Sequence, residues 1–382
     1  MKLWLWFAAL ILTSVGAVSA DGWVSVKSPM SDGRWAPAAT VLADGETGLI
    51  LGGYSFTAHR CVATADLFDS VQQRFTLCRG RLTVPRNFAA ALLLPNHTVL
   101  IAGGYNTVWG SLDSAEIYNP LTETFHLIPA RLTTPRELFT ATPLTDGRIL
   151  FVGGFDTGVG KTQASADLYD PANQSFSYTA SLHEDRFGHA AARLADGRVL
   201  VVGGTHWFVG QSGQALALAE IYDPVTGRFQ TTREPMHFPR DRPTANLLPD
   251  GTVLIAGGQN SAGEPTQVEV FHPATETFTL LSSALITPRM AHSAGVLPDG
   301  RVIIAGGWSA PIQATTAATE LFDPQIQRFT PAPTLGASSH DLALLIFPNG
   351  LILAAGGKHV QNGRERSLET GCTYQPVKLQ TP

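Results

Sequence analysis

A Gly-Gly pair returns seven times along this chain, beginning at Gly52, Gly103, Gly153, Gly203, Gly257, Gly306 and Gly356, with successive starts 51, 50, 50, 54, 49 and 50 residues apart. A spacing this regular is the mark of a repeat architecture, and its length is that of one propeller blade. Such a unit cannot bury its apolar face alone, so seven copies must pack against one another. The composition suits that reading. There are 37 Gly and 25 Pro among 382 residues, which implies many short elements joined by turns. A hydrophobic fraction of 44% with a formal net charge of -5 can fill a large core and excludes a disordered chain. The 26 Lys and Arg do not exceed the 31 Asp and Glu, so no nucleic-acid partner is expected. Three cysteines are too few for a disulfide scaffold.

Within each unit the pattern predicts four strands. An apolar strand leads into the Gly-Gly pair, as in Val199-Leu200-Val201-Val202, and is preceded by a tight turn. That turn is Asp-Gly at Asp44, Asp146, Asp196, Asp250 and Asp299, Asn349-Gly350 in the last unit and Asn96-His97 in the second. Upstream lies a small-residue strand such as Gly188 to Leu194, opened by Arg86, Arg136, Arg186, Arg240 or Arg289, each 17 residues before its Gly-Gly. Arg34 stands one residue further out, and Ser339 takes the place in the seventh unit. Downstream, a third strand ends in an aromatic and a proline turn, as in Glu220-Ile221-Tyr222-Asp223-Pro224, since Pro cannot donate to a ladder. Fourth strands begin at Phe75, Phe125, Phe176, Phe229, Phe278 and Phe329.

Six fourth strands serve seven units. Trp23-Val24-Ser25-Val26 has the same character and precedes the first unit, so Trp23 to Met30 is expected to pair as the outer strand of the last blade. Closure of that kind removes the open sheet edge. The expected architecture is all-β: a seven-bladed propeller with four antiparallel strands per blade, spanning residues 21–382 as one domain. Residues 1–20 read as a signal peptide, with Lys2, an apolar run from Leu3 to Leu12 and a small-residue cleavage site at Val18-Ser19-Ala20. The expected product is a secreted or periplasmic monomer with no membrane span after cleavage.

The sequence Arg-x-x-(His), Asp-Gly, apolar-Gly-Gly, Glu-x-Tyr-Asp-Pro and then Phe resembles the bacterial kelch repeat over essentially the whole mature chain. The resemblance implies a kelch-type β-propeller, a fold that serves binding platforms, sugar-handling enzymes and copper oxidases alike. Function therefore rests on the site.

The loops after each Gly-Gly are expected to open on one face together with the start of the first strand. That mouth would carry Tyr54, Tyr105, Phe155, His206, Trp207, Asn260, Trp308 and His359, a set rich in rings that stack on sugars or pack against a peptide. Arg242 and Asp341 are charged where other units have Ala36, Phe88, Leu138, Gly188 and Ala291, so they are expected to meet a ligand, too far apart for a direct bridge. The repeated arginines are read as structural, bonding loop carbonyls of the adjacent blade. His189 and His292 are read as hydrogen-bonded core residues rather than metal ligands. Cys61 and Cys78, which flank one hairpin, form a candidate disulfide.

No phosphate-binding loop, dinucleotide fingerprint, nucleophile elbow or zinc-protease motif occurs, so no cofactor and no metal is expected. The preferred expectation is a non-enzymatic module that binds a glycan or protein. The alternative is a carbohydrate-active enzyme resembling a sialic acid mutarotase, with His206, His359 and Asp341 as acid-base groups. A copper oxidase resembling galactose oxidase is disfavoured, because Tyr118, Tyr169 and Tyr222 belong to the third-strand motif and no Cys lies in the inner strands.

Overall fold

The computed structural model of the protein describes residues 22–207, 210 and 212–376; the signal peptide expected at 1–20 lies outside them. Seven four-stranded antiparallel sheets are arranged as blades. The fourth blade shows the plan, with strands Ala190–Arg193, Val199–Val202, Ala219–Asp223 and Arg228–Thr231 paired in sequence order. The second strand is buried on both faces, which is why it reads as a continuous apolar run rather than an alternating one.

The apolar clusters lie between blades. Leu200, Val202 and Ile221 of the fourth blade pack with Val253, Ile255 and Phe271 of the fifth. Ile50, Phe68 and Phe75 of the first pack with Leu345, Phe347 and Leu353 of the seventh, so the closing junction is as apolar as the others. Val24–Ser25 pairs antiparallel with Gly371–Tyr374, the third strand of the seventh blade. The expected closure is therefore present, with a ladder of two residues. Beyond it the segment is held by Val26 N–H on the Gly371 carbonyl at 2.9 Å and Met30 N–H on the Glu369 carbonyl at 2.8 Å.

The turn between the first two strands departs from the two-residue form that Asp-Gly suggests. His97 N–H donates to the Leu94 carbonyl, Pro95 and Asn96 occupy the centre, and His97 itself has φ 66°. This is a type I turn closed by a left-handed residue. Glycine takes that position in the other blades, as Gly197 does at φ 91°.

The six repeated arginines are fully buried. Arg289 is typical: Nη1 donates to the carbonyls of Gly306 and Ala318, and Nη2 meets Glu320 at 2.6 Å. Glu320 in turn accepts the N–H groups of Ile286 and Thr287, in the segment arriving from the previous blade. The carbonyls belong to the arginine's own blade, not to the adjacent one as the sequence suggested. It is the carboxylate that ties in the incoming linker. Both charges are desolvated, so such a pair survives because its oxygens and protons find partners; Arg34 is the exception in one atom, its buried Nε having no hydrogen-bond partner in the protein.

All three cysteines are free and buried, and the Cys61–Cys78 disulfide expected from the sequence is not formed. Cys61 sits in the loop ribbon with its thiol 3.4 Å from the Tyr105 carbonyl, whereas Cys78 follows the outer strand and meets the Tyr118 hydroxyl at 3.7 Å. The strands between them carry the two thiols to different neighbours.

Candidate functional site

Two residues after each arginine, and after Ser339 in the seventh blade, the backbone turns left-handed, at Ala36, Phe88, Leu138, Gly188, Arg242, Ala291 and Asp341, with φ between 50° and 64°. The kink separates the arginine from the strand it was expected to open. These residues are bonded to one another around the axis: Phe88 N–H donates to Ala36, Gly188 to Leu138, Arg242 to Gly188, Asp341 to Ala291 and Ala36 to Asp341. A left-handed non-glycine residue costs about 1–2 kcal/mol, and here an inter-blade hydrogen bond offsets it.

The residue between the arginine and the kink forms a bridge with the residue just after Gly-Gly. The pairs are Trp35 with Tyr54, Asn87 with Tyr105, Glu137 with Phe155, Phe187 with Thr205, Asp241 with Gln259, Met290 with Trp308, and His340 with Lys358. This ring of pairs stands around the axial kinks and forms the mouth. It gathers Tyr54, Tyr105, Phe155 and Trp308 as expected, and adds Trp35, Glu137, Asp241 and His340, which the sequence reading missed.

The next residue along, on the other face of the ribbon, bonds back to the linker in four blades, Asn106 Nδ2 donating to the Pro85 carbonyl in the second. Asn260 Nδ2 donates to the Pro239 carbonyl, His359 Nδ1 lies 2.9 Å from the Ser338 carbonyl, and His206 Nδ1 contacts Asp185. His206 and His359 are thus placed on the linker side, and Asn260 is spent on a turn although it still borders a cleft. His206, Asp185 and Glu184 hold their ligand-capable atoms within 4.8 Å of one another, the one such trio among the described residues.

The rings fall into two groups. On one side Trp35 stacks edgewise on Phe88 and Tyr54, with centroids 5.2 and 6.2 Å away, and the Lys358 ammonium lies 5.0 Å over its face. On the other, Phe155 meets Phe187 at 5.6 Å and Trp207 at 5.3 Å. Between them the axial floor is a depression of about 330 Å³ bordered by Phe88, Leu138, Arg242 and Asp341. A larger cleft of about 950 Å³ runs between the fourth and fifth blades, lined by Phe187, Trp207, Asp241, Gln259 and Asn260.

Arg242 and Asp341 do bridge. Nη1 stands 3.6 Å from Oδ2, which also accepts Trp35 Nε1–H at 2.9 Å and faces His340 Nδ1 at 2.8 Å. Desolvation pushes the Asp341 carboxyl upward, but the His340 hydrogen bond, the Arg242 charge and the Trp35 donor together hold it below its usual range. Burial raises Asp241, opposed by the Arg242 charge and by hydrogen bonds from Thr205 and Gln259. Its Oδ1 is buried with no hydrogen-bond partner in the protein. Glu137 is pushed up to about 7, again by burial, against a Ser111 hydrogen bond and the Arg242 charge. His189 and His292 bond Thr140 and Thr244 through Nε2, and burial drops both to about 3, so they are neutral core groups as expected.

Residues 88–130, which run from the axial kink of the second blade into its outer strand, match the family model described as the kelch motif. The chain is a seven-bladed β-propeller whose second blade carries the kelch motif. Among solved structures it is similar to YjhT, with 14% identity and a TM-score of 0.60 over 79% of this chain and 98% of that one. At that identity the likeness shows the fold alone. No curated protein sequence matches the chain.

Proposed function

We propose that this propeller is an exported binding module that takes a glycan at its mouth, in the cleft between the fourth and fifth blades. The observation that carries the reading is the cleft itself, in which the rings of Trp207 and Phe187 stand beside the polar side chains of Asp241, Gln259 and Asn260. Sugar hydroxyls bond the polar side chains of the wall while an aromatic stacks on the ring face. Arg242, at the floor, extends the polar surface to the axis. Export rests on the first twenty residues, and a protein ligand remains the other occupant this mouth suits.

The test is a glycan array on the mature protein, followed by calorimetry on the best ligand with the parent and Asp241→Ala. Binding that survives the substitution within about twofold, about 0.4 kcal/mol, would remove the cleft from consideration.

One observation favours a second reading, a carbohydrate-active enzyme. Glu137 titrates near neutrality beside Arg242, which suits a group that gives and takes a proton. Measurable mutarotation of a sugar by the parent, lost in Glu137→Gln, would select it. The copper-oxidase reading gains nothing, since Tyr118, Tyr169 and Tyr222 are buried core residues packed on Phe125, Phe176 and Phe229.

A further inference from the structure

The seventh blade lacks both members of the ion pair that the other six bury. Ser339 stands in the arginine position, and Cys372 replaces the acidic residue, being paired with Ala354 as Glu116 is with Ile101. A cavity of about 380 Å³ lies there, bordered by Ser339, Cys372, Gly356, Thr370, Gly336 and Ala337. The repeat identifies what each of these groups does elsewhere. The carbonyls of Gly356 and Thr370 correspond to those of Gly306 and Ala318, which receive Nη1 of Arg289. The amides of Gly336 and Ala337 correspond to those of Ile286 and Thr287, which are taken up by Glu320. Burial keeps the Cys372 thiol at about 11, so the cavity carries no anion of its own there. Exposed Glu369 and Arg366 both border the opening, so the rim is balanced in charge and the selectivity rests on the backbone carbonyls within.

We propose that this cavity is a binding site for a guanidinium group, carried by a small molecule or by an arginine side chain, which donates to the carbonyls that an internal arginine satisfies in the other blades. The fork geometry is already set, because the six neighbouring blades use the same backbone frame to hold one. The site lies within the last blade, apart from the mouth, and stands independently of the glycan reading.

Ethylguanidinium, ethylurea and an N-acetyl-arginine amide are the probes, titrated at constant ionic strength into the full mature protein and followed by amide NMR. The expected result is saturable binding of ethylguanidinium and of the arginine amide, with shifts at Gly336, Ala337, Gly356 and Thr370, and no saturation with neutral ethylurea. Response to ethylguanidinium alone assigns the site to free small molecules, and response to both includes peptide arginines. Cys372→Glu places a carboxylate beside the bound cation and should tighten binding about tenfold. Ser339→Arg together with Cys372→Glu rebuilds the internal pair, and should abolish the shifts while raising the melting temperature. Absence of saturable shifts in the parent, or equal binding of ethylurea, overturns the proposal. So does a folded rebuilt variant that binds like the parent, and the parent and Cys372→Glu titrations decide the matter even if the rebuilt variant does not fold.

Discussion

Arg242 Nη1 lies 3.6 Å from Asp341 Oδ2, so that a residue of the fifth blade reaches one of the seventh across the axis. The contact is possible because both occupy the left-handed kink that every blade turns inward, where seven residues crowd a ring linked by backbone hydrogen bonds. Distance in blade count therefore overstates distance in space.

The pair should couple measurably. With side chains 25% and 15% exposed, a double-mutant cycle of Arg242→Ala and Asp341→Ala is expected to give an interaction of about 1 kcal/mol in denaturant unfolding. Asp341→Ala alone should cost more than Arg242→Ala, because Trp35 Nε1 and His340 lose their acceptor. Asp341 is lowered in the folded state, so its stabilisation is present above its unfolded value and is lost as pH falls through the folded one. The difference in stability between parent and Asp341→Asn should accordingly vanish in strong acid; a difference that persists there would assign the effect to packing.

Much of this was legible in the sequence, and the exceptions share a cause. Arg, Asp-Gly, Gly-Gly and the closing Phe mark positions where only certain residues serve, so the blade plan and the ring closure could be read directly. The axial kink could not. Ala36, Phe88, Leu138 and Ala291 have no preference for positive φ, and only Gly188 hinted at it. Once the kink is placed, the residue before it belongs to the mouth, which is how Glu137 and Asp241 were overlooked. His206 and His359 were assigned to the mouth because successive residues of the ribbons alternate faces, and a run of residues after Gly-Gly does not say which is first.

Closure rests on few contacts, so it should be fragile. Trp23 packs at 5.4 Å on Tyr374 and its Nε1–H donates to Thr319, anchoring a ladder of only two residue pairs. Deleting residues 22–30 should lower the melting temperature sharply, because the sheet edge opens and Met30 leaves the core it fills. Trp23→Ala should reproduce part of the loss. A deletion variant that melts with the parent would refute closure by this strand.

The aromatic walls of the mouth should matter to binding and little to folding. For a glycan found on the array, Trp207→Ala is expected to weaken affinity by about 1–3 kcal/mol, the usual loss for a stacking ring. Trp308 is the internal comparison: it stands by His340, at 6.4 Å, away from the cleft between the fourth and fifth blades. An effect at Trp308 without one at Trp207 would shift the site to the axial side of the sixth and seventh blades.

Glu137 offers a pH signature that separates it from the other acids. Its folded value of about 7 exceeds the 4.5 of an unperturbed glutamate, so the native state holds its proton more tightly than the unfolded chain. Raising the pH from about 4.5 to about 7 therefore costs stability at this residue, and the full cost, on the order of 3 kcal/mol at most, applies above the folded value. Glu137→Gln removes the ionisation while keeping the shape. It should leave stability nearly unchanged at pH 4 and raise it at pH 8, with the gain growing across the interval between the two values. A uniform change at both pH values would mean that the carboxyl is not held neutral by burial, and it would also withdraw the observation that favours proton transfer at the mouth.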